Sequence, residues 1–138
     1  LRPLEQRSQL KSHLIEQYRF SQHLPADITE EIRYVLHSIL STGEARLEVV
    51  ARLVGQHPRS LQIALQQQGQ TFRELLDQVR FAEARQQLCL STQSITDLAL
   101  HLGYSDETAF SRAFKRWSGV APQHWRKEAT QQKLEGDL

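Results

Sequence analysis

Cysteine is nearly absent from the chain: Cys89 is its only thiol. One thiol excludes an internal disulfide and a cysteine-rich zinc site, and it fits a cytoplasmic location. The thiol itself reads as a small, half-buried helix side chain, since free cysteine packs as a hydrophobe. Long apolar runs are missing as well. None approaches the roughly 20 residues that span a bilayer, so no membrane association is expected. No basic start followed by an apolar middle marks a secretory leader. Residue 1 is Leu rather than Met, which predicts a fragment of a longer chain. Proline occurs four times, at Pro3, Pro25, Pro58 and Pro122, each where a helix can start or a linker can run. Alternating β-branched stretches are scarce too.

The chemistry of catalysis is absent in the same way. There is no glycine-rich phosphate loop, nucleophile elbow or paired catalytic carboxylate, so no enzymatic activity is expected. The six histidines, at 13, 23, 37, 57, 101 and 124, form no helical pair with a carboxylate suited to a metal, so neither metal nor cofactor is expected.

What remains is rich in Leu, Ala, Gln, Arg and Glu, which predicts an all-α fold. Leu10, Leu14, Ile15 and Tyr18 give a helix over about 4–22, broken at His23-Leu24-Pro25. Asp27 caps a second helix with Ile28, Ile32, Val35, Leu36 and Ile39 inward. A third covers about 46–54 and a fourth, opened by Pro58, runs to about Gln68. Thr71 and Glu74 have the spacing of a capping box, and the helix they start runs to about Cys89 with Leu75, Leu76, Val79, Ala82 and Leu88 as its core face. Ser94 caps the next helix. A further one covers about Asp106 to Ser118 and is stopped by Gly119. Pro122 starts a last helix through Trp125, and the polar tail beyond about Thr130 is expected to fray.

The informative signal is an internal repeat. Val50-Ala51 and Gly55 match Leu98-Ala99 and Gly103. Leu61 and Leu65 then match Phe110 and Phe114, and Gly69 matches Gly119. Each copy reads as helix, small residue, glycine turn, helix. The alanine lets the second helix cross close over the first, and the glycine permits the sharp turn. Two copies of a helix-turn-helix are far more specific than one. Opposite the core positions, the second helix of the C-terminal copy presents Glu107, Thr108, Ser111, Arg112 and Lys115, followed by Arg116. The N-terminal copy presents Pro58, Arg59, Gln62, Ile63 and Gln66, with Ser60 beside them. Arg and Gln read base edges through paired hydrogen bonds.

Charge follows the same division. The net charge is +1, but residues 57–127 carry nine basic and six acidic side chains. Arg112, Lys115, Arg116, Arg126 and Lys127 follow Thr108 without an intervening acid. A basic face of this kind suits a polyanion. The connecting helix of about 19 residues would span about 28 Å, near the 34–36 Å that separates successive major grooves on one face of DNA.

The stretch Ile95 to Arg126, ITDLALHLGYSDETAFSRAFKRWSGVAPQHWR, closely resembles the C-terminal signature of the AraC/XylS family of transcriptional regulators. His57-Pro58-Arg59-Ser60-Leu61-Gln62 and Gly69-Gln70-Thr71-Phe72-Arg73-Glu74-Leu75-Leu76 resemble the subgroup with an arabinose-binding-type N-terminal sensor domain. The resemblance covers about residues 27–128. It implies homeodomain-like helix-turn-helix subdomains at about 46–69 and 94–119, joined by a linker helix at about 71–89. Residues 1–26 would be the remnant that joins the missing sensor, and 131–138 a polar tail. It implies binding of promoter or operator double-stranded DNA, RNA polymerase as a further partner, and any small-molecule effector held by the absent N-terminal domain. It points to DNA contacts from Arg59 and Gln62, and from Glu107, Thr108, Ser111 and Arg112. Ile63 departs from the pattern, standing where the family often has Arg, and is available to a thymine methyl group instead. A related arrangement occurs in DNA-repair methyltransferases, which need several reactive cysteines; Cys89 alone does not meet that need. The alternative to a transcription factor is a helical protein-interaction module with a degenerate DNA face. Trp117 is expected to pack under the second recognition helix, and Trp125 against it from the last helix.

Overall fold

A computed structural model describes residues 27–136 of the chain. The helix expected over 4–22 lies outside the described residues. Within them there are seven α-helices and no strand: α1 (Ile28–Ile39), α2 (Leu47–Leu53), α3 (Pro58–Gln67), α4 (Phe72–Leu90), α5 (Ile95–His101), α6 (Glu107–Ser118) and α7 (Pro122–Gly136). A short 3₁₀ turn, Leu40–Thr42, follows α1. The chain divides into two compact units, residues 44–79 with the segment up to Leu40, and residues 80–138 with 41–43.

The helix starts are set by side chains that accept from otherwise unpaired amide groups. Asp27 accepts from the Thr29 N–H at 3.1 Å, Ser94 from Asp97 at 3.1 Å, and Asp106 from Ala109 at 2.8 Å. The Thr71 hydroxyl accepts from the Glu74 N–H at 3.1 Å, which is the threonine half of the capping box read from sequence. His57 is a further cap: its Nδ1 accepts from the Arg59 N–H at 3.3 Å.

The first unit has an aliphatic core. Ile32, Leu36 and Ile39 of α1 are fully buried, as are Val50 and Ala51 of α2, Leu61 and Leu65 of α3, and Leu75 of α4. Burying each leucine or isoleucine favours the fold by about 1.5–3 kcal/mol. Ile28 is only half-buried. Glu31, one residue before Ile32, is buried at 4% exposure, although a stripe drawn from apolar residues alone passes it over.

The second unit is built on aromatic rings. Phe110 and Phe114 are fully buried and meet edge to face, with ring centroids 5.9 Å apart. Phe81 lies 5.5 Å from Phe114 and 5.6 Å from Trp117. Trp125 of α7 meets Phe114 at 5.6 Å, nearly perpendicular. Both tryptophans therefore pack in the cluster around α6, and both are half-buried.

Three expectations are corrected. In α4 the residue buried with Leu88 is Ala84, while Ala82 sits half-buried at the flank. Residues four apart share one helix face, and Ala84 and Leu88 have that spacing. Cys89 is exposed, because Leu88 takes the inward position and its neighbour must turn out. The last helix does not stop near Trp125 but continues to Gly136. Residues 128–135 are helix formers with neither Gly nor Pro among them to end it, although the 131–134 side chains are exposed.

Candidate nucleic-acid interfaces

The repeat seen in the sequence is repeated in the backbone. In the first copy the Gln56 N–H donates to the Ala51 carbonyl at 2.8 Å, Gly55 to Arg52 at 3.2 Å, and Val54 to Val50 at 3.0 Å. In the second, Tyr104 donates to Ala99 at 3.0 Å, Gly103 to Leu100 at 3.0 Å, and Leu102 to Leu98 at 3.0 Å. Every donor and acceptor in the second turn is displaced by 48 positions from its counterpart in the first. Gly55 and Gly103 have φ of 73° and 90°, the left-handed region that side-chain-bearing residues avoid. Each turn ends one short helix and starts the next. Ala51 and Ala99 are fully buried where the helices cross.

In the first unit, α3 buries Leu61 and Leu65 and turns Arg59, Ser60, Gln62, Ile63 and Gln66 outward, all exposed. Arg59, Gln62, Ile63 and Gln66 follow the spacing of a single helix face. A cleft of about 220 Å³ lies along this face, and Gln70, Thr71 and Phe72 complete its lining. These three are not among the contacts read from the sequence. They reach the face because the Gln70 N–H donates to the Leu65 carbonyl at 3.0 Å, closing the turn at Gly69 and bringing the start of α4 beside α3. Gly69, a turn residue two positions before Thr71, is the signal for this in the sequence.

In the second unit, α6 buries Phe110, Ala113 and Phe114 and exposes Glu107, Thr108, Arg112, Lys115 and Arg116, with Ser111 half-buried. The Glu107 carboxylate accepts from the Thr96 hydroxyl of α5 at 2.8 Å.

The basic run after Thr108 is not all available to a partner. Arg126 is half-buried, and its Nε donates to the Leu88 carbonyl at 3.2 Å. That carbonyl belongs to the last turn of α4, whose acceptors lack helical partners. Arg80, also in this unit, donates from Nε to the Leu102 carbonyl at 3.1 Å and lies over the Tyr104 ring at 4.6 Å. Both arginines close the C-terminal end of a helix, where a cation is favoured. The outward cations are therefore Arg112, Lys115, Arg116 and Lys127, all exposed.

A family model described as a helix-turn-helix domain matches residues 50–128. The chain belongs to this family, in its AraC-type form. It is 31% identical over 127 residues to the HTH-type transcriptional regulator VirS of Mycobacterium tuberculosis, covering 91% of this chain and 37% of VirS. The chain thus spans little more than a third of that relative's length. The C-terminal domain of AraT, a response regulator from Geobacillus stearothermophilus, is 29% identical with a TM-score of 0.67, covering 75% of this chain and 86% of that one. A DNA-binding transcriptional dual regulator from Escherichia coli K-12 shares the fold with a TM-score of 0.73 at 21% identity, covering 78% of this chain and 96% of the other.

Proposed function

We propose that the chain is the DNA-binding part of a bacterial transcriptional regulator, with α3 and α6 as its two major-groove readers. The carrying observation is the duplicated turn, with the same hydrogen bonds in both copies and a polar outward face on each second helix. A helix of this kind fits the major groove and reads base edges there. The proposed contacts are Arg59, Ser60, Gln62, Ile63 and Gln66 from α3, and Glu107, Thr108, Ser111, Arg112, Lys115 and Arg116 from α6.

Residues 27–130 would form the binding domain, with 1–26 leading from a sensor of the arabinose-binding type that holds any small effector. RNA polymerase is the proposed protein partner and the cytoplasm the proposed location. No helix among the described residues is long and apolar enough to cross a membrane.

The test is selection of bound duplexes from a random library, followed by affinity measured against salt. Two subsites about 10–10.5 bp apart are expected, together with a fall in log K against log salt of about 0.9 for each phosphate contact. A flat salt dependence, or no preferred duplex, would turn the reading towards a helical protein-interaction module.

A further inference from the structure

Ile63 is out of character on its helix. It is 45% exposed, and among the described residues of the first unit it is the only large apolar side chain so exposed. Its counterpart in the repeat is Arg112, a cation. The cleft beside it draws its apolar lining from Ile63 and Phe72, amide groups from Gln62, Gln66 and Gln70, a cation from Arg59 and a hydroxyl from Thr71. Arg59 suits a backbone phosphate, whereas the isoleucine and the phenyl ring beside it offer a phosphate no donor. In the major groove only thymine presents an apolar group, its 5-methyl, and glutamine amides pair best with the N6 and N7 edge of adenine.

From this juxtaposition we infer that α3 reads A·T pairs, with a thymine 5-methyl group seated against Ile63 and Phe72 and an adenine edge held by Gln62 or Gln66. This rests on the DNA-reading proposal and goes further by naming the base chemistry of the first reader. The two copies of the repeat then differ in kind. The first recognises a methyl group and an adenine edge, whereas the second presents an arginine and a carboxylate, which suit G·C pairs.

The experiment uses the full chain and the duplex it selects from a random library. Each thymine is replaced in turn by deoxyuridine, which removes the methyl group and leaves the pairing unchanged. At one thymine the affinity is expected to fall about fourfold, the loss for one buried methyl group. Ile63→Ala, at an exposed position, is expected to keep the helical circular dichroism and to bind the thymine and deoxyuridine duplexes alike. Equal binding of all deoxyuridine duplexes by the unsubstituted chain would overturn the inference. So would discrimination that survives Ile63→Ala, because the methyl would then be read elsewhere. If no duplex is preferred at all, the DNA-reading proposal itself fails, and this inference with it.

Discussion

The Thr96 hydroxyl donates to the Glu107 carboxylate at 2.8 Å, tying the first residue of α6 to the helix before it. A carboxylate there is favoured by the helix N-terminus. If α6 reads DNA, the same tie aims an acceptor suited to a cytosine amino group. Thr96→Val keeps the shape and removes the donor. Both residues are exposed, so denaturant unfolding should register a loss below about 1 kcal/mol. Discrimination at the base pair facing Glu107 should relax several-fold. Unchanged discrimination in Thr96→Val, with loss only in Glu107→Gln, would show that the hydroxyl has no positioning role.

The two readers should contribute unequally to affinity. Arg112 stands on a face with Lys115 and Arg116, whereas Gln62 has only Arg59 as a nearby cation on α3. Arg112→Ala is therefore expected to weaken binding more than Gln62→Ala at matched salt. If Arg112 meets a phosphate, its loss also lowers the salt slope by about 0.9. Equal losses, or a larger one for Gln62→Ala, would refute this ranking.

Arg80 and Arg126 should behave as structural cations. Arg80→Gln removes a charged donor from the Leu102 carbonyl and a cation from the Tyr104 face. A destabilisation of about 1–3 kcal/mol is expected, seen as a lower urea midpoint. The salt slope of DNA binding should stay where it is in both Arg80→Gln and Arg126→Gln. A slope reduced by about one contact would place either arginine on the DNA instead.

The aromatic cluster predicts where the second unit is most sensitive. Phe114 is fully buried among Phe81, Phe110 and Trp125. Phe114→Ala should cost about 3–5 kcal/mol, through lost transfer energy and the cavity left behind. Trp117 and Trp125 are the chain's two tryptophans and both lie in this unit, so their fluorescence reports the transition directly. A loss under about 1 kcal/mol would mean that the cluster repacks around the gap.

The sequence by itself determined most of the helices, the glycine turns and the duplication, because these follow from local rules. Apolar spacing decides which face turns inward, capping side chains decide where helices start, and only glycine takes the left-handed turn cheaply. It also named the outward residues of α3 and α6, since the face opposite a buried Leu61 or Phe110 is fixed by helical geometry. Long-range packing decided the rest. That Arg126 is spent on the Leu88 carbonyl, 38 residues away, has no signature in local spacing, and a count of basic residues assigns it to a partner. By contrast, the burial of Ala84 and the exposure of Cys89 follow from local helical spacing around Leu88. The cleft joining Ile63 to Phe72 exists only because the turn at Gly69 carries the start of α4 back beside α3, a contact of chain direction rather than of sequence pattern.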